Sequence, residues 1–474
     1  MYLPNLQIII RKLPVHFQKN NKTAVLNVLY LTSHQIFTIK TKGSLHRYIL
    51  LAAIAAFIFL ATGCEDPGNV GNRFLDDSAN LETRTISVGT IEPFSANTFT
   101  GRHRYMPMGV YDDPLFGKLY TIGVIKPSID TTSTGPEILP EDDFKLRLVF
   151  SERVYGDSLA TSSFSLYRVD EFWRGNEFRF GQTLSLDESA KVGEFTVTGA
   201  ETVEVELSPN WIEEYNEYLS SEGADRDSTY RNEFTGLAVV PDDENSSVLF
   251  ARISPESGED DDNQEFVRFV LDRPEDENDD ENGNGDNGND EENGDEEEVD
   301  PRIYQRLVDW GSTMERSEPS TTPEGLPVHS MLDQIFSISP DLSEENIGSK
   351  NIANAELVLY ADVSQLNATL PSGHYRPEPI NARINIIDSG NPGELIFGRE
   401  PDLVGEFDEE GGSFRFDITD YANSVLFDSP PAGKFYFSVE SINGINYSTL
   451  IFDENAPQEY RPKILITSVK SDSE

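Results

Sequence analysis

Apolar and polar residues alternate with period two in stretch after stretch of this chain, and that pattern limits the fold more than any other feature. Phe144, Leu146, Leu148 and Phe150 alternate with Lys145 and Arg147, and Val203, Val205 and Leu207 alternate with glutamates. Phe414, Phe416 and Ile418 repeat the pattern, as do Phe435, Phe437 and Val439. Successive side chains of a strand point to opposite faces, so each run describes a strand with one face on a core. Turn clusters such as "PDDENSS" (241–247) punctuate the runs. Helical signals are few. "SPNWIEEYNEYLS" (208–220) puts Trp211, Ile212, Tyr215, Tyr218 and Leu219 on one face, with Ser208 as N-cap and Pro209 in the first turn. "DITDYANSVL" (417–426) predicts a second short helix. Many strands with no βαβ rhythm define the class: mostly β, antiparallel β-sandwich domains with few short helices.

One segment cannot join a core. Residues 272–300, "DRPEDENDDENGNGDNGNDEENGDEEEVD", hold sixteen acidic residues, one Arg and a single apolar residue, Val299. Nothing there offsets the entropy of ordering, so 273–301 is expected to be a disordered acidic insert. Its flanks, "FVRFVL" (266–271) and "RIYQRLVDW" (302–310), both read as strands. They are either a hairpin carrying a long loop, or the last strand of one domain and the first of the next. The second reading divides the chain into an N-terminal β domain, 95–272, and a C-terminal one, 302–470.

The N-terminal region reads as targeting. His46 and Arg47 lead into an unbroken apolar stretch, Tyr48 to Ala61, 14 residues long. A membrane-spanning helix needs about 20 apolar residues, so this length fits a secretory signal. Thr62-Gly63 then meets Cys64, the single cysteine of 474 residues, which excludes a disulfide within the chain. The pattern resembles the bacterial lipobox, in which cleavage precedes a cysteine that carries lipid on its thiol; Ala61 stands where that motif prefers Leu. The leader would be 1–63, long for a signal of about 15–30 residues, and a start near Leu45 would shorten it, leaving 1–44 as a misassigned extension. Residues 64–94 then tether the body. "EDP" after the cysteine resembles the acidic tether of surface-exported lipoproteins, so the expected location is the outer membrane, facing the periplasm or the cell surface.

Charge narrows the partners. The chain carries −47, and the leader holds seven Lys/Arg with no acidic residue, so residues 64–474 carry −54. Such a chain repels nucleic acid and anionic lipid, which sets nucleic-acid binding aside. The acidity extends well beyond 272–300 and points to a high-salt habitat or to cation binding.

Two resemblances add to this. "MGVYDDPLFGKLYTIG" (108–123), "FKLRLVFSERVYGDSLATSSFSLYRVDEF" (144–172) and "FTGLAVVPDDENSSVLFARI" (234–253) are similar to an uncharacterised family of Gram-negative lipoproteins, known as a domain of unknown function. "AELVLYAD" (355–362), "FRFDITDYANSVL" (414–426) and "YRPKILITS" (460–468) resemble the DNRLRE-type β-sandwiches found beside carbohydrate-active enzymes. The resemblances imply a β fold, an envelope location and glycan contact. They transfer no catalytic residue.

Within the acidic run, "DENGNGDNGNDE" (280–291) fits a calcium-loop pattern, with Asp280, Asn282, Asn284, Gly285 and Glu291 at the constrained positions. No amphipathic helix flanks it, and a run of this composition meets the pattern by chance, so no cofactor is expected and calcium is the alternative. The densest aromatic stretch, "YRVDEFWRGNEFRF" (167–180), offers Trp173 and Phe172 as a stacking surface for sugar rings, with Arg174 for hydroxyls. Core-facing strand residues are the plainer reading of the same aromatics. No nucleophile, metal-protease or phosphate-loop motif is present, and His103, His329 and His374 lie in unrelated contexts, so no catalytic residue is assigned. The expectation is a non-catalytic binding or accessory module of the envelope, bound to the membrane by lipid and contacting glycans. The alternatives are an assembly lipoprotein contacting other envelope proteins and, below that, a carbohydrate-active hydrolase.

Overall fold

The structure, a computed structural model, describes residues 81–469 except 97, 130–136, 222–224, 255–264, 274–301, 348–350, 389, 394–395, 397–399, 429–432 and 441–443. Cys64 and the leader lie outside the described residues, as does the calcium-loop set Asp280, Asn282, Asn284 and Glu291. The chain is mostly β, with 50% strand and 14% helix. In chain order the strands are β1 (Leu81–Ser87), β2 (Thr90–Phe94), β3 (Tyr105–Asp113), β4 (Gly117–Pro127), β5 (Asp143–Asp157), β6 (Thr161–Val169), β7 (Leu186–Thr198) and β8 (Thr202–Glu206). They continue as β9 (Leu237–Pro241), β10 (Ser247–Arg252), β11 (Arg268–Asp272), β12 (Ile303–Gln305), β13 (Leu307–Arg316), β14 (Leu326–His329), β15 (Ile335–Ser339) and β16 (Ile352–Tyr360). The last are β17 (His374–Tyr375), β18 (Asn381–Ile387), β19 (Leu403–Asp408), β20 (Ser413–Asp417), β21 (Lys434–Val439), β22 (Ser448–Ile451) and β23 (Lys463–Val469).

The period-two runs become what they predict. Phe144, Leu146, Leu148 and Phe150 are buried along β5, while Lys145 and Arg147 face outward. Phe414 and Phe416 of β20 and Phe435 and Phe437 of β21 are likewise buried, and each such side chain contributes about 1.5–3 kcal/mol by leaving water. The helix Pro209–Ser220 lays Trp211, Tyr215 and Leu219 against the sheet, Trp211 stacking on Phe269 at 5.8 Å and Tyr215 on Phe144 at 5.7 Å. Ser208 sits at its N-cap without a side-chain capping bond. The second predicted helix forms as Thr419–Asp428.

Two large antiparallel sheets result. One holds twelve strands along the path β12-β11-β5-β10-β3-β4-β9-β6-β7, with β8 and β17 joining β5 and β13 joining β4. The other holds nine, β1-β23-β16-β20-β19-β18-β21-β15-β2, and folds over on itself as a sandwich. Phe437 on one layer meets Phe414 and Phe416 of the other edge-on, at 5.8 and 6.0 Å. Its end strands β1 and β2 are separated by just Val88 and Gly89, so one extended segment crosses from the first layer to the second. Gly89 has φ +85, and a Cβ there would lie 2.1 Å from the Ser339 carbonyl oxygen, so no other residue makes this crossing unstrained.

Chain order and sheet membership do not coincide. The chain enters the sandwich as β1 and β2, leaves it to build β3–β13 of the larger sheet, and returns at β15, with β14 pairing β22 in a small separate ribbon. β11 and β12 pair with each other from Phe269↔Gln305 to Leu271↔Ile303. The segment 274–301 thus joins neighbouring strands of one sheet, and the crossings between sheets fall at 94–105 and 316–335, with a brief return to the larger sheet at β17, between β16 and β18. The described residues lie in one compact unit, 80–474. β3 shows how the sheets share a layer: Met106 and Met108 face the core of the larger sheet, while Tyr105 and Tyr111 face the core of the sandwich.

Candidate functional site

The densest buried chemistry lies where the two sheets meet. Asp113 closes β3, and its carboxylate accepts the backbone N–H groups of Leu115 (2.8 Å) and Phe116 (3.1 Å), an Asx turn that reverses the chain into β4. It also accepts Arg376 twice, Nε at 2.9 Å and Nη2 at 2.8 Å, and the Tyr155 hydroxyl at 2.9 Å. Arg376 follows β17, which is pinned on the end of β5, and its remaining Nη1 donates to the Leu366 carbonyl at 2.7 Å. The Phe116 ring lies 4.9 Å from the guanidinium. Both ions are buried, and the pair is bidentate with further donors on the carboxylate, the geometry that offsets desolvation. Burial works to raise the Asp113 carboxyl, but Arg376 and the surrounding donors outweigh it and hold it below the usual range. Burial, reinforced by Asp113, pushes the Tyr155 hydroxyl far up and that of Tyr111 to about 12.

A second pair continues the network. Arg316, last residue of β13, donates Nε to Asp333 Oδ2 at 2.8 Å, both side chains being buried. Asp333 follows Leu332, whose φ of +59 is rare for a branched side chain and turns the β14–β15 connection back toward the pair. His329 packs edge-on to Phe116 at 5.1 Å, with its Nδ1 2.8 Å from Ser448 Oγ. Burial, helped by the Arg316 charge, lowers the imidazole to about 3, so it is neutral at physiological pH. Arg316 Nη1, Asp333 Oδ1 and His329 Nε2 have no intramolecular hydrogen bond. A groove of about 330 Å3 between Phe94, Phe116 and Phe180 reaches the Arg316–Asp333 pair from outside.

The aromatic stretch divides. Trp173 is buried, 4% exposed, with its indole N–H donating to the Thr235 carbonyl at 2.6 Å and Phe178 packed at 5.5 Å. Phe172, 46% exposed, stands at the surface with the Arg174 guanidinium 5.3 Å from its ring. The structure therefore brings Phe172 and Arg174 together outside and sends Trp173 inside. The loop is held by Gly175, whose N–H donates to Asp309 Oδ1 at 3.1 Å and whose missing Cβ would lie 2.1 Å from the Trp310 carbonyl oxygen. Beneath Trp173 lies a buried lysine, Lys126, with Nζ 5.1 Å from the indole and 3.3 Å from the Arg231 carbonyl. Burial lowers its ammonium to about 8, with Asp309 pulling the other way.

Sequence reasoning missed Asp113, Arg316, Asp333, Arg376 and Lys126. Only Asp113 carried a local signal, the "DDP" turn after an apolar run; the others meet across separations such as the 263 residues between Asp113 and Arg376. Among the described residues no group of three or more His, Cys, Asp or Glu is placed to hold a metal ion. No protein-family model matches the chain, and no curated protein matches it.

Proposed function

We propose that the protein is a lipid-anchored, non-catalytic binding module of a bacterial cell envelope, held at Cys64 and displaying its sheets outward. One observation carries the non-catalytic part. The ion pair with the fullest set of partners, Asp113–Arg376, is turned inward and engaged by Tyr155, by the Leu115 and Phe116 N–H groups and by the Leu366 carbonyl. An active site usually does the reverse, aiming perturbed groups into a cleft. The anchor supports display. β1 is stitched to β23 over seven residue pairs, and the 17 residues from Cys64 to Leu81 span at most about 60 Å when fully extended. The body thus stays near the bilayer that holds the cysteine.

A specific feature favours the assembly reading as the second. Leu159, 80% exposed, and Tyr375, 50% exposed, both lie at the β5–β17 corner, where the Ser158 N–H reaches the Gly373 carbonyl. Exposed large side chains at one corner suit a protein contact.

The test is fractionation of cells expressing the full chain and its Cys64→Ser variant, with palmitate labelling. The wild type should label and sediment with membranes, and the variant should do neither. A variant that still labels and sediments sinks the anchor. Affinity capture of the wild type and of Leu159→Glu/Tyr375→Ala then separates the two readings, because the assembly reading requires a captured envelope protein that the double variant loses.

A further inference from the structure

We propose that the solvent face of β6, β7 and β9 is a binding groove for a neutral oligosaccharide, an inference that rests on the binding-module reading and gives it a site. The three strands run side by side and build the floor in rungs. Ser163 stands opposite Thr196, Ser165 stands between Glu194 and Val240, and Tyr167 stands between Lys191 and Ala238. Alternation does the sorting, since Phe164 and Leu166 turn inward to the core and leave the hydroxyls and the Tyr167 ring outward. Phe164 stacks on Phe195 at 5.0 Å directly beneath, which stiffens the floor.

The ladder is irregular at one place. The β6–β7 register shifts between Leu166 and Tyr167, and again between Tyr167 and Arg168. The extra residues lie in β7, Val192 and then Glu188–Ala190, while β6 keeps an unbroken register with β9, so β7 is the strand that bends, and bends of this kind recur beside binding sites. Tyr167, turned outward by the regular alternation of β6, lines a groove of about 600 Å3 beside that bend, within the range of about 300–1,000 Å3 that ligand sites occupy.

Its chemistry selects the ligand. Ser163, Ser165 and Thr196 line it with hydroxyls, each able to donate and accept. Lys191 pairs with Glu194 along β7, at one side of the groove, and Asp242 closes the end. A sugar is the molecule whose hydroxyls donate to carboxylates, accept from an ammonium and exchange with serines, while its C–H face lies on an aromatic ring. Two carboxylates against one ammonium repel sulfated or uronic chains, so the ligand is neutral. The groove lies on the larger sheet, away from the C-terminal strands whose pattern resembles carbohydrate-associated sandwiches.

The experiment is an array of neutral, sulfated and uronic oligosaccharides probed with the detergent-solubilised full chain, followed by calorimetric titration of the best neutral binder. Tyr167→Ala should weaken binding about tenfold at an unchanged melting temperature, and Ser165→Val should weaken it less. Retention of neutral chains with loss in both variants supports the groove. No neutral chain retained, preference for anionic chains, or binding indifferent to both variants overturns it. Capture of a protein partner without any glycan overturns the groove and leaves the binding-module reading standing, whereas membrane retention of Cys64→Ser sinks the anchor without touching the groove.

Discussion

Arg376 and Lys126 are both buried cations, 3% and 2% exposed, yet the protein treats them in opposite ways. Arg376 meets a carboxylate through two parallel hydrogen bonds, a carbonyl through a third and an aromatic face. Lys126 has one carbonyl, one indole and a carboxylate acting at longer range. The planar guanidinium presents several donors at fixed angles and cannot shed its proton, so its site must be complete. The ammonium is compact and can lose its charge, so a partial shell is tolerated. A buried charge therefore reports either a joint of the fold or a group that titrates, and the partner count tells which.

The comparison breaks most sharply at the joint. Arg376→Met strands the Asp113 carboxylate inside and should lower unfolding free energy by about 3–5 kcal/mol in denaturant titration. Adding Asp113→Asn should recover part of that loss, because the stranded charge disappears. A single variant costing under about 1 kcal/mol would show that the joint does not hold the sheets together.

His329 tests the same region through pH. Its folded-state value, about 3, lies below the ordinary 6.5, so the unfolded chain binds the extra proton between those limits. Stability is complete above 6.5 and falls as pH drops toward 3, by up to about 1.4 kcal/mol per unit. His329→Gln should flatten this part of the profile, and an unchanged acid slope would contradict it.

Lys126 gives a smaller effect of opposite placement. Its folded-state value of about 8 lies below the ordinary 10.5, so the burden of the buried charge is full below 8 and disappears as pH rises to 10.5. The wild type should gain stability across that window and Lys126→Met should not. At pH 7 the variant should be neutral or more stable by about 1 kcal/mol. A large loss would mean that the ammonium is a joint after all.

Phe172→Ser gives the smallest change. Its ring is half exposed and touches Arg174 outside the core, so the expected shift in stability is within about 0.5 kcal/mol. Trp173→Ala one position on should cost about 3–5 kcal/mol. Similar values at the two positions would erase the inside–outside division of the loop.

That division marks how far local reading reaches. Along β5 and β20 the alternation named the buried face residue by residue, because a strand's side chains obey a two-residue repeat wherever it pairs. At "DEFWRGNEF" the strand has ended after Val169 and the repeat no longer holds, so which aromatic turned inward depended on Gly175 fitting under Trp310. The flanks of the acidic run were legible as strands but their pairing was not, since a hairpin and a domain junction look alike in one dimension.

The sequence by itself determined the class of the fold, the faces of its strands, the two principal helices and the acidity of nearly the whole chain. Those properties follow from backbone stereochemistry and from side chains within a few positions of one another. Only the tertiary structure decided that β1 and β2 belong with strands more than 230 residues away, that Arg376 closes on Asp113, and that the bulges of β7 fall beside Tyr167. Such contacts depend on which distant surfaces exclude water together, and on whether a charge carried into that interior finds every partner it needs. No local pattern records either condition.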